Sequence, residues 1–212
     1  MEIKCFEFNF LPVNTYIVWD ETKQAAIIDP GCFYQDEPAI LEQFISQHDL
    51  QVKLLLNTHL HFDHVFGNNF VEEKYCLKAK CNDADNGWIT DMSNRLAAFG
   101  IRHTGKTNPI LPENVLRDGD TVSFGNTSFQ VMQIPGHSPG SVIYYHKETG
   151  TVFTGDVLFC NGVGRSDFPD GDGRALTEGI MTRLMTLPDD TKVFPGHGPA
   201  TTIGAERRNF IY

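Results

Sequence analysis

The sequence predicts an α/β layered fold. Three observations carry that prediction. Strands and helices alternate along the chain in two similar halves, each with several short strands ahead of a helix. Hydrophobic residues make up 41 % of the 212 residues and charged residues 21 %, which suits a globular chain with a sizeable core. No Pro/Gly/Ser-rich linker interrupts the pattern, so a single domain over residues 1–212 is expected.

The elements follow in order. "KCFEFNF" and "TYIVWD" have the apolar and β-branched content of strands, and "AAIIDPG" reads as a buried strand ending in a turn. "DEPAILEQFISQHD" places Ile40, Leu41, Phe44 and Ile45 at helical spacing, with acidic residues in its first turn. "VKLLLN" is a further strand. Residues 72–115 are less regular: "DADNGWITDMSNRLAAFG" suggests one or two helices ending at Gly100, then a Pro/Asn-rich loop. "DTVSFGNTSFQVMQI" predicts a hairpin turning at Gly125-Asn126. "SVIYYH" and "TVFTGD" form a second strand pair across "KETG". "RALTEGIMTRLMTL" sets Leu176, Ile180, Leu184 and Leu187 on one helical face. A short strand "KVFP" and a helix around "IGAERRNF" close the chain.

Composition excludes several functions. No stretch has the 18 or more apolar residues of a membrane span, and the N-terminus lacks the pattern of a signal peptide, so a cytoplasmic protein is expected. The net charge of −10 and the absence of a Lys/Arg cluster argue against nucleic-acid or membrane partners. The five cysteines are odd in number and irregularly spaced, with no CxxC pair, so free thiols are expected rather than disulfides or a zinc ribbon.

The chemistry concentrates in "NTHLHFDHVFG", residues 57–67, which holds three of the eight histidines. His59 and His61 are two apart, and in an extended segment such residues point the same way, so both can reach one metal. Asp63 and His64 follow where the chain turns into a helix, and their side chains can serve a second metal. His137 in "PGHSPGS", Asp156 in "FTGDVLF" and His197 in "FPGHGPAT" stand at further strand-to-loop junctions. Imidazole and carboxylate ligands suit zinc, iron or manganese.

"THLHFDH" with these three later partners resembles the metallo-β-lactamase superfamily. Over nearly the whole chain, "IIDPG", "PGHSPGS", "TGDVLF", "GVGRSDFPDGD" and "PGHGPATTIGAERRN" resemble its glyoxalase II group. The resemblance implies an αββα sandwich with the site at one edge between two sheets. It implies that His59, His61 and His137 hold one metal, that Asp63, His64 and His197 hold a second, and that Asp156 bridges them. Asp29 in "IIDPG" would orient a ligand histidine. Asp63 and Asp156 are the candidate catalytic carboxylates. Two divalent ions are expected, zinc first, with iron and manganese as alternatives. Full-length glyoxalase II proteins carry a C-terminal helical domain that makes much of the glutathione contact. This chain stops at Tyr212, about where that domain would begin, so it is expected to resemble the short single-domain members.

The implied reaction is hydrolysis of a small-molecule thioester, with hydroxyacylglutathione-type substrates (S-D-lactoylglutathione-like) as the nearest guess. A water bridging two cations would ionise near neutral pH and attack the carbonyl. No GxSxG elbow offers a serine route. Arg165 in "GVGRSD" is the candidate for a substrate carboxylate, against an ion pair with Asp167. Residues 82–110 are expected to form a lip, with Trp88 and Phe99 as apolar contacts. The alternative is a persulfide dioxygenase with one iron on three of the ligands. A non-catalytic metal-binding module ranks below both, because structural zinc sites are closed and thiolate-rich. "DGDGRALTE" has the outline of a calcium loop but places Arg174 and Ala175 where an oxygen ligand and glycine belong, so a turn into a helix is expected.

Overall fold

The computed structural model describes residues 1–102 and 110–210. One sheet runs β1 (Glu2–Phe8), β2 (Val13–Trp19), β3 (Gln24–Ile28), β4 (Gln51–Leu56) and β5 (Ala79–Lys80) in sequential order. Its first three strands are antiparallel; β4 and β5 join in parallel. The parallel steps need crossovers, which α1 (Glu37–Gln47) supplies before β4, and α2 (Phe62–Val65) with α3 (Asn68–Tyr75) before β5. A 3₁₀ turn at Asp83–Asp85, α4 (Asn86–Thr90), α5 (Met92–Ala98) and a 3₁₀ turn at Pro112–Asn114 lead to the second half.

The second sheet comprises β6 (Thr121–Phe124), β7 (Thr127–Gln133), β8 (Val142–His146), β9 (Thr151–Gly155), β12 (Lys192–Pro195) and β13 (Thr201–Thr202). Its spatial order is β13-β12-β9-β8-β7-β6. Between β9 and β12 lie the ribbon β10 (Leu158–Phe159) and β11 (Gly162–Val163), then α6 (Gly173–Gly179); α7 (Ile203–Phe210) follows β13.

Period-two alternation makes the layers. On β2, Tyr16 and Val18 face the second sheet's Phe129, Val131, Tyr144 and Phe153, forming the central core. The intervening Ile17 and Trp19 face outward onto Leu41 and Ile45 of α1. On the far side, Ile143, Tyr145 and Val152 pack under Leu176, Ile180, Leu184 and Ile203. Each of these large apolar side chains contributes roughly 1.5–3 kcal/mol on burial. The result is the expected four-layer αββα arrangement, with both sheets covered on both faces.

Most expected elements are present, including the hairpin at Gly125-Asn126. Several were not expected as such, among them the short strands β10, β11 and β13. Asn68–Tyr75 is helical, and the two-residue β5 exists through its parallel pairing with Leu55 and Leu56. The helix expected over residues 174–187 is α-helical only to Gly179; Ile180–Leu184 widens to a π turn that still buries Ile180 and Leu184. Asp172 caps α6, its carboxylate accepting the amides of Arg174 and Ala175, so this stretch is a turn into a helix. All five cysteines are free; Cys32 and Cys81 are buried, Cys160 partly so, and Cys5 and Cys76 exposed.

Candidate metal centre

The two sheets meet at one edge, where β2 touches the loop after β12. The Asn14 amide donates to the Gly196 carbonyl at 2.7 Å, and Val13 bridges His197. The Val142 amide reaches the Thr58 carbonyl at 2.8 Å. The ends of β4, β7, β9 and β12 converge there, each releasing its histidine or aspartate as its ladder stops.

All seven expected ligands come together in three overlapping groups whose ligand atoms lie within 4.8 Å of one another. These are His59, His61 and His137; His59, His64 and Asp156; and Asp63, His64 and His197. Nε2 of His137 is 3.2 Å from Nε2 of His59 and 2.9 Å from Nδ1 of His61. Nε2 of His64 is 3.3 Å from Nε2 of His197, and Nε2 of His197 is 3.4 Å from Oδ2 of Asp63. Asp156 touches both ends: its Oδ2 lies 3.5 Å from Nε2 of His137 and 3.5 Å from Nε2 of His197.

The outward nitrogens decide what points inward. His64 Nδ1 donates to Oδ2 of Asp29 at 3.1 Å, His137 Nδ1 to the Arg165 carbonyl at 2.8 Å, and His197 Nδ1 to the Pro12 carbonyl at 3.1 Å. The Thr58 hydroxyl gives its proton to Asp29 at 2.6 Å, so toward His59 Nδ1, 3.1 Å away, it accepts. These partners assign the proton to Nδ1 in each neutral ring, leaving the Nε2 lone pair aimed at the centre. Asp156 Oδ1 and His61 Nε2 are buried without a hydrogen-bond partner among the described residues. Converging lone pairs beside an orphaned carboxylate oxygen fit divalent cations.

The electrostatics divide the rings. Burial, reinforced by His64, His61 and His137, depresses His59 far below the ordinary imidazole value, and burial with His137 takes His61 to about 3. Burial also lowers His64, but Asp156 and Asp63 outweigh it and hold that ring well above. Burial lowers His197 too, but Asp156 and Asp63 outweigh it and raise that ring to about 9. Burial would raise the carboxyl of Asp156, yet His64 and His197 keep it well below the usual range. Burial likewise opposes ionisation of Asp63, which His64 and His197 nonetheless hold low. Two glycines make room: a Cβ on Gly196 would strike Oδ1 of Asp156, and one on Gly164 its backbone oxygen.

A pocket of about 330 Å³ opens beside the cluster. His61, Asp63, His137, Asp156 and His197 form its polar floor; Leu11, Phe62, Trp88, Phe99, Phe159, Val163, Arg165 and Phe168 line the rest. Of the expected lip over residues 82–110, Trp88 and Phe99 are on the pocket wall, while 103–109 lie outside the described residues. Arg165 stands at the mouth with both Nε and Nη2 on Asp167, at 2.9 and 3.1 Å, and its guanidinium over Phe168. The ion pair weighed against its substrate role is thus formed. Among the described residues no helix is long and apolar enough to cross a membrane.

Two residues that sequence reasoning missed hold the centre together. Asp85, 1 % exposed, accepts the Ser138 hydroxyl at 2.7 Å, the Gly140 amide at 2.6 Å and the Leu60 amide at 3.3 Å. Burial outweighs these donors and keeps its carboxyl above the usual range. Asn9, at φ 57°, donates to the carbonyls of Gly31 and Asp63 at 2.9 and 3.1 Å. Asp85 has no local signal, because its partners come from other segments of the chain. Asn9 has only a short turn, its Oδ1 accepting the Leu11 amide at 2.8 Å, which does not announce its contacts with Gly31 and Asp63.

Comparison with known proteins follows this geometry. A family model described as the metallo-beta-lactamase superfamily matches residues 8–197. The chain is similar to hydroxyacylglutathione hydrolase GloC of Haemophilus influenzae, at 35 % identity over 99 % of this chain and 96 % of that one. Among solved structures it is similar to BLEG-1 B3 metallo-beta-lactamase, with a TM-score of 0.87 and 31 % identity over 98 % of this chain and 97 % of that one. It is also similar to TTHA1623 in a di-iron-bound form, with a TM-score of 0.84 and 36 % identity, covering 97 % of this chain and 98 % of that one.

Proposed function

The chain belongs to the metallo-β-lactamase superfamily, and from that premise we propose that it is a metal-dependent hydrolase of a small-molecule thioester. We take the hydroxyacylglutathione type as the substrate, after the activity for which the Haemophilus influenzae relative is named. The observation that carries the reading is Asp156 Oδ2, equidistant at 3.5 Å from a histidine of each ligand group, on the floor of a pocket.

His59, His61 and His137 would hold one divalent cation, Asp63, His64 and His197 a second, with Asp156 shared. Zinc is the first expectation, with iron and manganese accepted by the same donors. Bound there, the cations would lower the pKa of a water toward neutrality and polarise the substrate carbonyl.

The chain's own residues do the rest. Asp29, directly and through Thr58, fixes the rings of His64 and His59. The carboxylates of Asp63 and Asp156, both held ionised, accept hydrogen bonds and balance cationic charge; neither is set up as an acid. That suits a thioester, whose leaving thiolate has a pKa near ~8.5 and needs little protonation on departure. Water adds to the carbonyl carbon, the C–S bond breaks with its electron pair on sulfur, and carboxylate and thiol leave. Arg165, exposed at the mouth, would exchange Asp167 for a carboxylate at the far end of the substrate, since exposed pairs are worth only about 0–1 kcal/mol.

The test is thioester cleavage by the metal-loaded protein. His61→Ala and Asp156→Ala are expected to lose about 100-fold or more. Undiminished turnover in both, or one iron per chain with oxygen uptake on glutathione persulfide, would overturn the proposal.

A further inference from the structure

Resting on the hydrolase reading above, we propose that the substrate carries a short apolar arm, alkyl or aromatic, next to its scissile bond. Leu11, Phe62, Trp88, Phe99, Val163 and Phe168 form the subsite that receives it. These side chains come from five separate parts of the fold: the β1–β2 loop, α2, the α4–α5 region, the β10–β11 ribbon and the loop after it.

Three of them are exposed in part. Leu11 is 39 % exposed, Val163 39 % and Phe99 60 %. A single exposed leucine needs no explanation, but three large apolar side chains around the mouth of one pocket, beside a polar floor, have the anatomy of a ligand site. The inner wall is fixed. The Trp88 indole N–H donates to Asp170 Oδ2 at 2.7 Å, which sets its ring 4.0 Å from that of His61 and 5.8 Å from that of Phe168. Arg95 lies over the same indole at 3.6 Å.

The composition of the described wall narrows the ligand. Among the described residues no hydroxyl or amide side chain lines the pocket, whose polar groups are the candidate ligands and Arg165. A polyhydroxylated or amide-rich arm would leave water there without replacement partners, whereas each buried methylene gains. The volume, about 330 Å³, sits at the lower end of small-molecule pockets and suits a short chain or one ring rather than a long lipid.

The metal-loaded full chain would be assayed on two series. One holds glutathione constant and varies the acyl group through acetyl, lactoyl, mandeloyl and hexanoyl. The other holds acetyl constant and lengthens an alkyl thiol from ethyl to hexyl. kcat/KM is expected to rise roughly threefold per added methylene in one series, and which series rises tells the side on which the arm lies. Leu11→Asn and Val163→Asn are expected to lower the best substrate about tenfold, and the acetyl substrate less. Flat or falling values in both series overturn the apolar subsite while leaving thioester cleavage intact. If no thioester is cleaved, the hydrolase reading fails separately, and calorimetric binding of hexanoate against acetate then decides. Hexanoate at least tenfold tighter upholds the subsite, and equal affinity overturns it.

Discussion

The Ser138 hydroxyl donates to Oδ2 of Asp85 at 2.7 Å, across 53 positions of sequence. Ser138 adjoins His137, and the same carboxylate oxygen takes the amide of Leu60, between His59 and His61. One buried aspartate therefore sets the distance between two loops whose histidines must meet. Asp85→Asn turns one acceptor into a donor facing the Leu60 amide and the Ser138 hydroxyl. It is expected to cost ~2 kcal/mol, or about 4–8 °C in Tm for a chain of this size. Metal retained after dialysis against a chelator should fall as well; a variant that melts lower yet keeps its full metal complement would show Asp85 to be merely structural.

Asp29 acts on the other group. Its Oδ2 accepts from His64 Nδ1 and the Thr58 hydroxyl. In Asp29→Asn the amide would confront that Nδ1–H, favouring a His64 tautomer whose proton points into the centre. Metal affinity is expected to fall about 10–100-fold, read by competition with a chromophoric chelator. Wild-type affinity in this variant would show that the contact does not set the tautomer.

Gly196 tests the crowding around Asp156. Its amide is held by the Gly155 carbonyl at 2.8 Å and its carbonyl by the Asn14 amide at 2.7 Å, so the backbone has little room to retreat. The Cβ of Gly196→Ala would push on Oδ1 of Asp156 and on Cε1 of His64. A destabilisation of about 1–3 kcal/mol and fewer than two metals per chain are expected, measured by denaturant unfolding and elemental analysis.

Removing metal should loosen the whole edge where the sheets meet. At free metal about 100 times Kd, binding contributes ~2.7 kcal/mol, so chelation is expected to lower Tm by about 5–10 °C, and readdition to restore it. An unchanged melting curve would mean that these seven side chains hold no ion when folded.

Arg165→Ala is expected to raise KM several-fold for thioesters with a carboxylate on the carrier and to leave kcat nearly untouched. Equal KM on charged and uncharged carriers would confine Arg165 to its pair with Asp167.

The sequence by itself determined the alternation of strands and helices through local pattern, and marked all seven candidate ligands through short motifs and their family resemblance. Period-two strands and helical spacing are written into neighbouring residues, and His59 and His61 share a direction because an extended chain requires it. Asp29 was legible only through the resemblance of "IIDPG" to the family. Only the tertiary structure decided how those groups are held and what lies beside them. Asp85 and Asn9 act through partners 22 to 55 positions away, and β5 exists only by pairing with β4. The apolar pocket draws single side chains from five parts of the fold. No periodicity records such meetings, since they arise only when the inner faces of the two sheets are buried against each other.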